Sequence, residues 1–104
     1  MLNRIITLIF ILSISMMPSS RADDGEAVYR KICHFCHEDG ILGSPMIGNV
    51  EEWERRRLKG IEQLYQSAID GTGHMPERLH RRGFDETSIK HAVDYLLKNS
   101  EPKN

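Results

Sequence analysis

The sequence predicts a small all-α domain, and two kinds of observation carry this prediction. First, apolar residues recur at i, i+3, i+4, i+7 and i+8 from Ile61 and again from Ile89, which is the spacing of a helix with one buried stripe. Second, residues that end or begin helices flank these stretches, with Gly71 after the first and Asp85 before the second. No stretch of the chain alternates convincingly between apolar and polar residues, so no β-strand is predicted.

Two further helices are predicted upstream of these stretches. One runs from about Asp24 into a cluster of cysteines and histidines, and a shorter one begins at Asn49 and ends near Gly60. Glu52 lies three residues after Asn49, which predicts a capping box at the start of this shorter helix. Two loops rich in glycine and proline complete the domain, at residues 38–48 and 71–84. Both are long for so small a domain, and such loops are usually functional.

The N-terminus has the layout of a secretory signal peptide. Arg4 is followed by a nearly apolar run at residues 5–17, and residues 20–22 resemble a cleavage site. The apolar run is shorter than the roughly 20 residues of a membrane-spanning helix, although an uncleaved anchor stays an alternative. We therefore expect a signal peptide at 1–22, a single mature domain at 23–104 without stable membrane insertion, and a location in the periplasm.

The charge of the mature chain argues against nucleic-acid binding. Two of the 14 basic residues, Arg4 and Arg21, lie in the signal peptide, so 12 remain against all 15 acidic residues and the formal charge is −3. A basic run at residues 55–57 follows three glutamates, which is typical of a solvated helix face.

The only two cysteines of the 104-residue chain lie in one motif, Cys33-x-x-Cys36-His37. This motif is the signature of covalent haem attachment. Thiols three residues apart lie on one side of a helical turn, where they can add to the two vinyl groups of a haem. The histidine that follows can then bind the iron.

Three other uses of the cluster are less well supported. A structural zinc site needs four ligands, and no second ligand pair stands out in the chain. A thiol redox site of the thioredoxin type would lie in a βαβ pattern, which the sequence lacks. A disulfide across two intervening residues would close too short a loop to stabilise the domain appreciably.

The second axial position of the iron has several candidates, which are His34, Met46, His74, Met75, His80 and His91. Met46 follows His37 by only nine residues, too few for the chain to cross the haem. Met75 follows it by 38 residues and lies in a polar loop, where Pro76 restricts the preceding backbone to extended forms. Met75 is the favoured ligand and His74 is its competitor.

The motif and the residues after it resemble a known family. The matching positions are Cys33, Cys36, His37, Gly40, Gly43, Pro45, Trp53, Arg56, Gly60, Leu64, Tyr65, Ala68, Gly71, Met75 and Pro76. In order and spacing they resemble the small class I c-type cytochromes of the cytochrome c5 type, which are related to the c555 type. The resemblance implies a cytochrome c-like fold of four to five helices that enclose one covalently attached haem c. The chain departs from the family pattern after Met75, where it reads "ERLHRRG".

The resemblance also implies the residues that hold the haem. Cys33 and Cys36 would form the two thioethers, and His37 and Met75 would bind the iron. Pro45 would offer its backbone carbonyl to the Nδ1–H of the His37 ring, a bond that fixes the tautomer and orientation of an iron-binding histidine.

Further residues take roles from the same resemblance. Trp53 and Arg56 would lie near a haem propionate, where an indole N–H and a cation offset its negative charge. Gly25 and Tyr29 on the first helix, with Tyr95 on the last, would form the crossing of the terminal helices.

The function implied is that of a monomeric single-electron carrier between redox partner proteins, not an enzyme. If protein side chains fill both axial positions, no substrate can bind the iron, and Met/His ligation raises the reduction potential relative to His/His. The basic residues 78–82 are a candidate docking rim. Two other functions stay open: a haem subunit dedicated to one dehydrogenase or oxidase complex, and a haem sensor with a labile sixth ligand.

Overall fold

The computed structural model of the protein describes residues 24–77 and 83–103. The expected signal peptide at 1–22, the candidate docking rim at 78–82 and His80 within that rim lie outside the described residues. None of the helices formed by the described residues has the length and apolar character needed to cross a membrane.

The described residues form helices joined by loops. The N-terminal helical stretch consists of α1 (Gly25–Val28), a π-helical portion (Tyr29–Cys33) and α2 (His34–His37), and it is followed by a 3₁₀ turn (Ile41–Gly43), α3 (Val50–Arg57), α4 (Ile61–Asp70) and α5 (Glu86–Lys98). Counting the N-terminal stretch as one helix, residues 24–77 and 83–103 hold four helices and no β-strand. This confirms the all-α prediction of four to five helices.

Side-chain caps fix where α3 and α5 begin. The Asn49 side chain accepts a hydrogen bond of 3.2 Å from the backbone N–H of Glu52, and Asp85 accepts one of 2.7 Å from the N–H of Ser88. Both starts were predicted from the sequence. The reciprocal half of the capping box at α3 was predicted wrongly, because the Glu52 carboxylate binds Arg56 at 2.9 Å rather than the backbone of Asn49.

The terminal helices cross closely, as the family resemblance implied. A Cβ atom on Gly25 would lie 2.1 Å from the carbonyl oxygen of His91, so only glycine permits this approach. One helical turn later the rings of Tyr29 and Tyr95 contact each other with centroids 5.4 Å apart.

Two clusters of buried apolar side chains form the core. The first contains Tyr29, Trp53, Leu96 and Leu97, and the second contains Ala68, Ile69 and Ile89. The stripe predicted on α5 is therefore buried. The stripe on α4 is buried only in its second half, and Ile61, the first residue of the helix, is 42% exposed.

Candidate haem site

A cavity of about 360 Å³ lies between the two core clusters, and a second cavity of about 390 Å³ shares part of its wall. The residues that line both are Ile32, Cys33, His37, Leu42, Ser44, His74 and Met75. Cys36 lines the second cavity, while Pro45, Trp53 and Arg56 line the first. The fold thus brings all seven predicted site residues to one connected space, although they span 43 positions of the chain.

Both thiols of the motif are free and partly buried. Cys33 is the last residue of the π-helical portion and Cys36 lies in α2, so the two follow one another on a continuous helical path. Burial raises the pKa of the Cys33 thiol to about 11, since the charged thiolate is disfavoured away from water. No three His, Cys, Asp or Glu side chains within 24–77 and 83–103 lie close enough together to hold a metal ion.

The His37 ring is held in one tautomer. Its Nδ1 lies 2.7 Å from the carbonyl oxygen of Pro45. A carbonyl can only accept, so Nδ1 carries the proton and Nε2 keeps a free lone pair. Burial lowers the pKa of His37 and outweighs the opposing effect of the Pro45 bond, with a smaller lowering from the nearby Arg56 cation. A neutral imidazole with a free Nε2 at a cavity wall is a donor suited to a haem iron.

Trp53 and Arg56 both reach the cavity, but their polar groups already have protein partners. The indole N–H of Trp53 donates to the carbonyl oxygen of Met46 at 2.9 Å. The family resemblance had implied that this N–H faces a propionate; in the structure its one proton goes to the Met46 carbonyl. Arg56 is 34% exposed and pairs with Glu52 at 2.9 Å. This bond uses the Nε–H of Arg56, which is one of the five N–H donors of a guanidinium.

Met75 reaches both cavities from a tight turn after α4. Its N–H donates to the carbonyl of Thr72 at 2.8 Å, and its own carbonyl accepts from the Thr72 N–H at 3.0 Å. Gly71 makes this turn possible, since a Cβ atom there would lie 2.7 Å from the Met75 carbonyl oxygen. The Met75 side chain packs against the core cluster of Ala68, Ile69 and Ile89.

The other candidate ligands have different surroundings. His74 lines both cavities beside Met75 but is exposed. Met46 is 43% exposed and lines neither cavity. The His34 ring stacks on the exposed Phe35 ring, with centroids 4.2 Å apart, and His91 is exposed on α5.

Sequence reasoning missed two residues at the site. Lys59 lines the first cavity together with Arg56; the signal was available, because Lys59 follows Arg56 by three residues within the stretch 49–60 that the sequence predicts as helical. Ser100 contacts the loop that carries Pro45, through Gly48. No sequence pattern could have found Ser100, since 52 positions separate it from Gly48.

Known proteins that resemble this chain agree with the geometry. Residues 20–96 match the family described as "Cytochrome C oxidase, cbb3-type, subunit III". Cytochrome c-551 of Halorhodospira halochloris is 35% identical over 82 residues, which cover 75% of this chain and 100% of that protein. Cytochrome c5 of Ectopseudomonas mendocina is 36% identical over 77 residues, which cover 72% of this chain and 85% of that protein.

Solved structures of c-type cytochromes are similar to this chain as well. A chain in the crystal structure of an electron transfer complex of nitrite reductase with cytochrome c has a TM-score of 0.70 and 29% identity, covering 78% of this chain and 100% of that one. The reduced cytochrome c551 of Ectothiorhodospira halophila has a TM-score of 0.62 and 30% identity, over 73% of this chain and 99% of that one. The chain therefore belongs to the small class I c-type cytochromes, which are electron-transfer proteins rather than enzymes and carry one covalently attached haem c.

Proposed function

We propose that this chain is an exported, monomeric, single-electron carrier whose haem is joined to Cys33 and Cys36 and whose iron is bound by His37 and Met75. One observation carries the proposal: the neutral His37 ring, hydrogen-bonded through Nδ1 to Pro45, lines both cavities. Cys33 also lines both cavities, and Cys36 lines the second. Met75 lines these cavities as well, which supports its role as the second ligand.

The residues around the cavity have complementary tasks. When bound, the haem supplies a one-electron couple. The thioethers of Cys33 and Cys36 keep it attached, and the Pro45 carbonyl keeps the His37 ring in a fixed orientation, so that little has to rearrange on oxidation or reduction. The apolar side chains of the two core clusters exclude water, which strengthens every electrostatic interaction inside.

Two cations near the cavity are suited to the acidic groups of a haem. Arg56 and Lys59 line the same cavity wall, and Glu52 neutralises only part of this positive charge. A guanidinium binds a carboxylate through two parallel N–H groups. We assign propionate binding to Arg56 and Lys59, and to Trp53 the packing of its ring beside the His37 ring, whose centroid lies 6.1 Å away.

Export to the periplasm with removal of residues 1–22 is part of the proposal. The family match begins at residue 20, which supports a separate N-terminal segment. N-terminal sequencing of the red protein from a periplasmic extract should begin at Asp23. Recovery of the pigment only from membranes, with Met1 retained, would identify an anchored form instead.

The test of haem attachment uses wild type and one double variant. Produced with export and cytochrome c assembly machinery, the wild type should be red, give a c-type pyridine haemochrome spectrum and keep its pigment through acid–acetone extraction. Cys33→Ala combined with Cys36→Ala should leave little folded holoprotein, since a domain this small depends on its cofactor to complete the core. Pigment that passes from wild type into the organic phase would rule out covalent attachment.

A second candidate function is that of a haem subunit dedicated to one enzyme complex. Two observations favour it: the matching family is described as an oxidase subunit, and one similar chain was solved in an electron transfer complex with nitrite reductase. A diffusible carrier should sediment as a monomer in extracts of its own cells. Comigration with one oxidase or reductase through several purification steps would favour the dedicated subunit.

A further inference from the structure

The loop segment 45–48 is tied to His37 at two points. The Pro45 carbonyl lies 2.7 Å from Nδ1 of the His37 ring, and the Ile47 N–H donates to the backbone carbonyl of His37 at 2.8 Å. The ring and the backbone of the histidine therefore share one short stretch of loop as their support. The orientation of the ring follows the position of segment 45–48.

The same segment is tied at its other two positions to distant parts of the chain. The Met46 carbonyl accepts from the indole N–H of Trp53 at 2.9 Å, and the Gly48 N–H donates to Ser100 Oγ at 2.9 Å. Trp53 is buried in α3, and Ser100 follows the end of α5. Each residue of segment 45–48 thus has a hydrogen bond to a group outside the segment.

Ser100 is a buried serine whose hydroxyl connects segment 45–48 to α5. It is fully buried, at 0% exposure, and its hydroxyl donates to the Leu96 carbonyl at 2.8 Å while accepting from Gly48. Both functions of the hydroxyl are therefore used. An alanine would leave the Gly48 N–H without its acceptor, and an unpaired N–H of this kind draws its chain segment toward water.

The two ends of this support are themselves joined. Arg57, one turn after Trp53 on α3, donates to the carbonyl of Leu97 at 2.5 Å. Trp53 and Leu97 also share one core cluster. The end of α3 and the end of α5 are therefore in contact with each other, and both are hydrogen-bonded to segment 45–48.

We propose that Ser100 and Trp53 are positioning residues, which act through segment 45–48 to fix the His37 ring and so set the reduction potential. The inference rests on the proposed function, because it needs His37 as an iron ligand. The Nδ1–H bond to Pro45 makes the imidazole a stronger electron donor, which favours the oxidised iron. When Ser100 or Trp53 loses its hydrogen bond, segment 45–48 loosens, the donor weakens and the potential rises.

The test compares Ser100→Ala and Trp53→Phe with wild-type holoprotein. Two quantities are measured: the reduction potential, by spectroelectrochemical titration, and the exchange rate of the His37 Nδ1 proton with solvent, by NMR of the reduced protein. We expect exchange to be faster by about tenfold in either variant, which corresponds to roughly 1.4 kcal/mol of lost protection. The potential should shift upward in both.

Ser88→Ala is the matched control. Ser88 is also a buried serine, 2% exposed, but it lies at the start of α5, away from segment 45–48. The control should lower thermal stability and leave both the potential and the Nδ1 proton exchange unchanged. A purely structural role for Ser100 would give Ser100→Ala this same pattern and overturn the inference.

The outcomes separate this inference from the proposed function. If wild type lacks covalent haem or a haem-shifted His37 signal, the proposed function fails before any variant is compared. If wild type has both and neither variant moves exchange or potential, the positioning role fails and the proposed function stands. If Ser100→Ala does not fold, Trp53→Phe alone tests the positioning role. This variant keeps an aromatic ring in the core and removes only the hydrogen bond to the Met46 carbonyl.

Discussion

Two segments beside the cavity are held in different ways. The proximal segment, residues 45–48, is hydrogen-bonded to His37 and to residues of α3 and of the chain after α5. The distal segment, residues 71–77, holds Met75 by paired backbone bonds to Thr72, three positions away. The hydrogen bonds of the proximal segment therefore reach two helical parts of the chain, whereas the backbone hydrogen bonds of Met75 stay within its own turn.

This difference has a consequence for the iron site. Segments whose bonds are local open at a lower free energy than segments tied into the core. We therefore expect the Met75 side of the site to yield before the His37 side under strain, acid or competing ligands.

Replacement of the proposed distal ligand should have the largest effect. Met75→Ala should abolish the far-red charge-transfer band of the oxidised protein, lower the potential and let carbon monoxide bind the reduced iron. Optical spectra and ligand titration measure these changes. Met46→Ala is the matched control, since Met46 is 43% exposed and lines neither cavity, and it should keep the band.

The competing histidine provides the decisive contrast. His74→Ala should keep the band and shift the potential only modestly. If His74→Ala opens the iron and Met75→Ala does not, the ligation is His/His and the assignment of Met75 is wrong. Carbon monoxide binding by wild type at neutral pH would instead favour a sensor with a labile ligand.

Two glycines with nearly equal backbone angles compare the segments directly. Gly48 has φ +87° and Gly71 has φ +85°, but a Cβ atom at Gly71 would lie 2.6 Å from the Glu77 nitrogen, whereas at Gly48 it would lie 4.0 Å from the Asn99 carbonyl oxygen, an ordinary contact. Gly48→Ala should lower the free energy of unfolding by about 1–2 kcal/mol through backbone strain alone. Gly71→Ala should add about 1–3 kcal/mol of overpacking to such strain.

The same pair separates stability from ligation. Gly71→Ala displaces the turn that carries Met75, so its far-red band should weaken along with its stability in chemical denaturation. Gly48→Ala should lower stability and keep the band. An equal loss of stability in the two variants, with both bands intact, would contradict the account of the distal turn.

The smallest expected effect concerns the helix caps that follow the two segments. Because one cap titrates and the other does not, their contributions to stability should depend differently on pH. Asn49 caps α3 after the proximal segment and does not titrate, whereas Asp85 caps α5 after the distal loop. Hydrogen bonds from Ser88 lower the pKa of Asp85 below the ordinary value of 3.8. The contribution of Asp85 to stability is therefore present above pH 3.8 and is lost as the pH falls through its lower folded value.

Thermal unfolding as a function of pH tests this difference. Asp85→Asn keeps a capping side chain without the titration, so its stability should fall less steeply than that of wild type in the acid range. Asn49→Asp should add a new acid-sensitive step at α3. Identical acid profiles for wild type and Asp85→Asn would show that the cap does not contribute in this way.

Much of the fold could be predicted from the sequence, because the residue patterns that specify its helices are local. The spacing of Ile89, Ala92 and Leu96 predicts the buried stripe of α5, and the caps Asn49 and Asp85 predict where two helices begin. A cap depends only on residues within one turn, so the sequence contains all the information required. Ile61 shows the limit of such reasoning, since this periodic position is the first residue of its helix and is exposed.

The features of the site also fall into two groups, those that local sequence predicts and those that depend on contacts between distant segments. The attachment motif can be recognised from the sequence alone, because Cys33, Cys36 and His37 need only one helical turn to act together. In contrast, the bond from the Trp53 N–H to the Met46 carbonyl and the bond from Gly48 to Ser100 depend on the folded arrangement of distant segments. The partner in the first of these bonds is a backbone carbonyl and in the second a backbone N–H. Every residue except proline carries both groups, so the sequence does not mark which of them will be used, and packing of α3 against the end of α5 makes the choice.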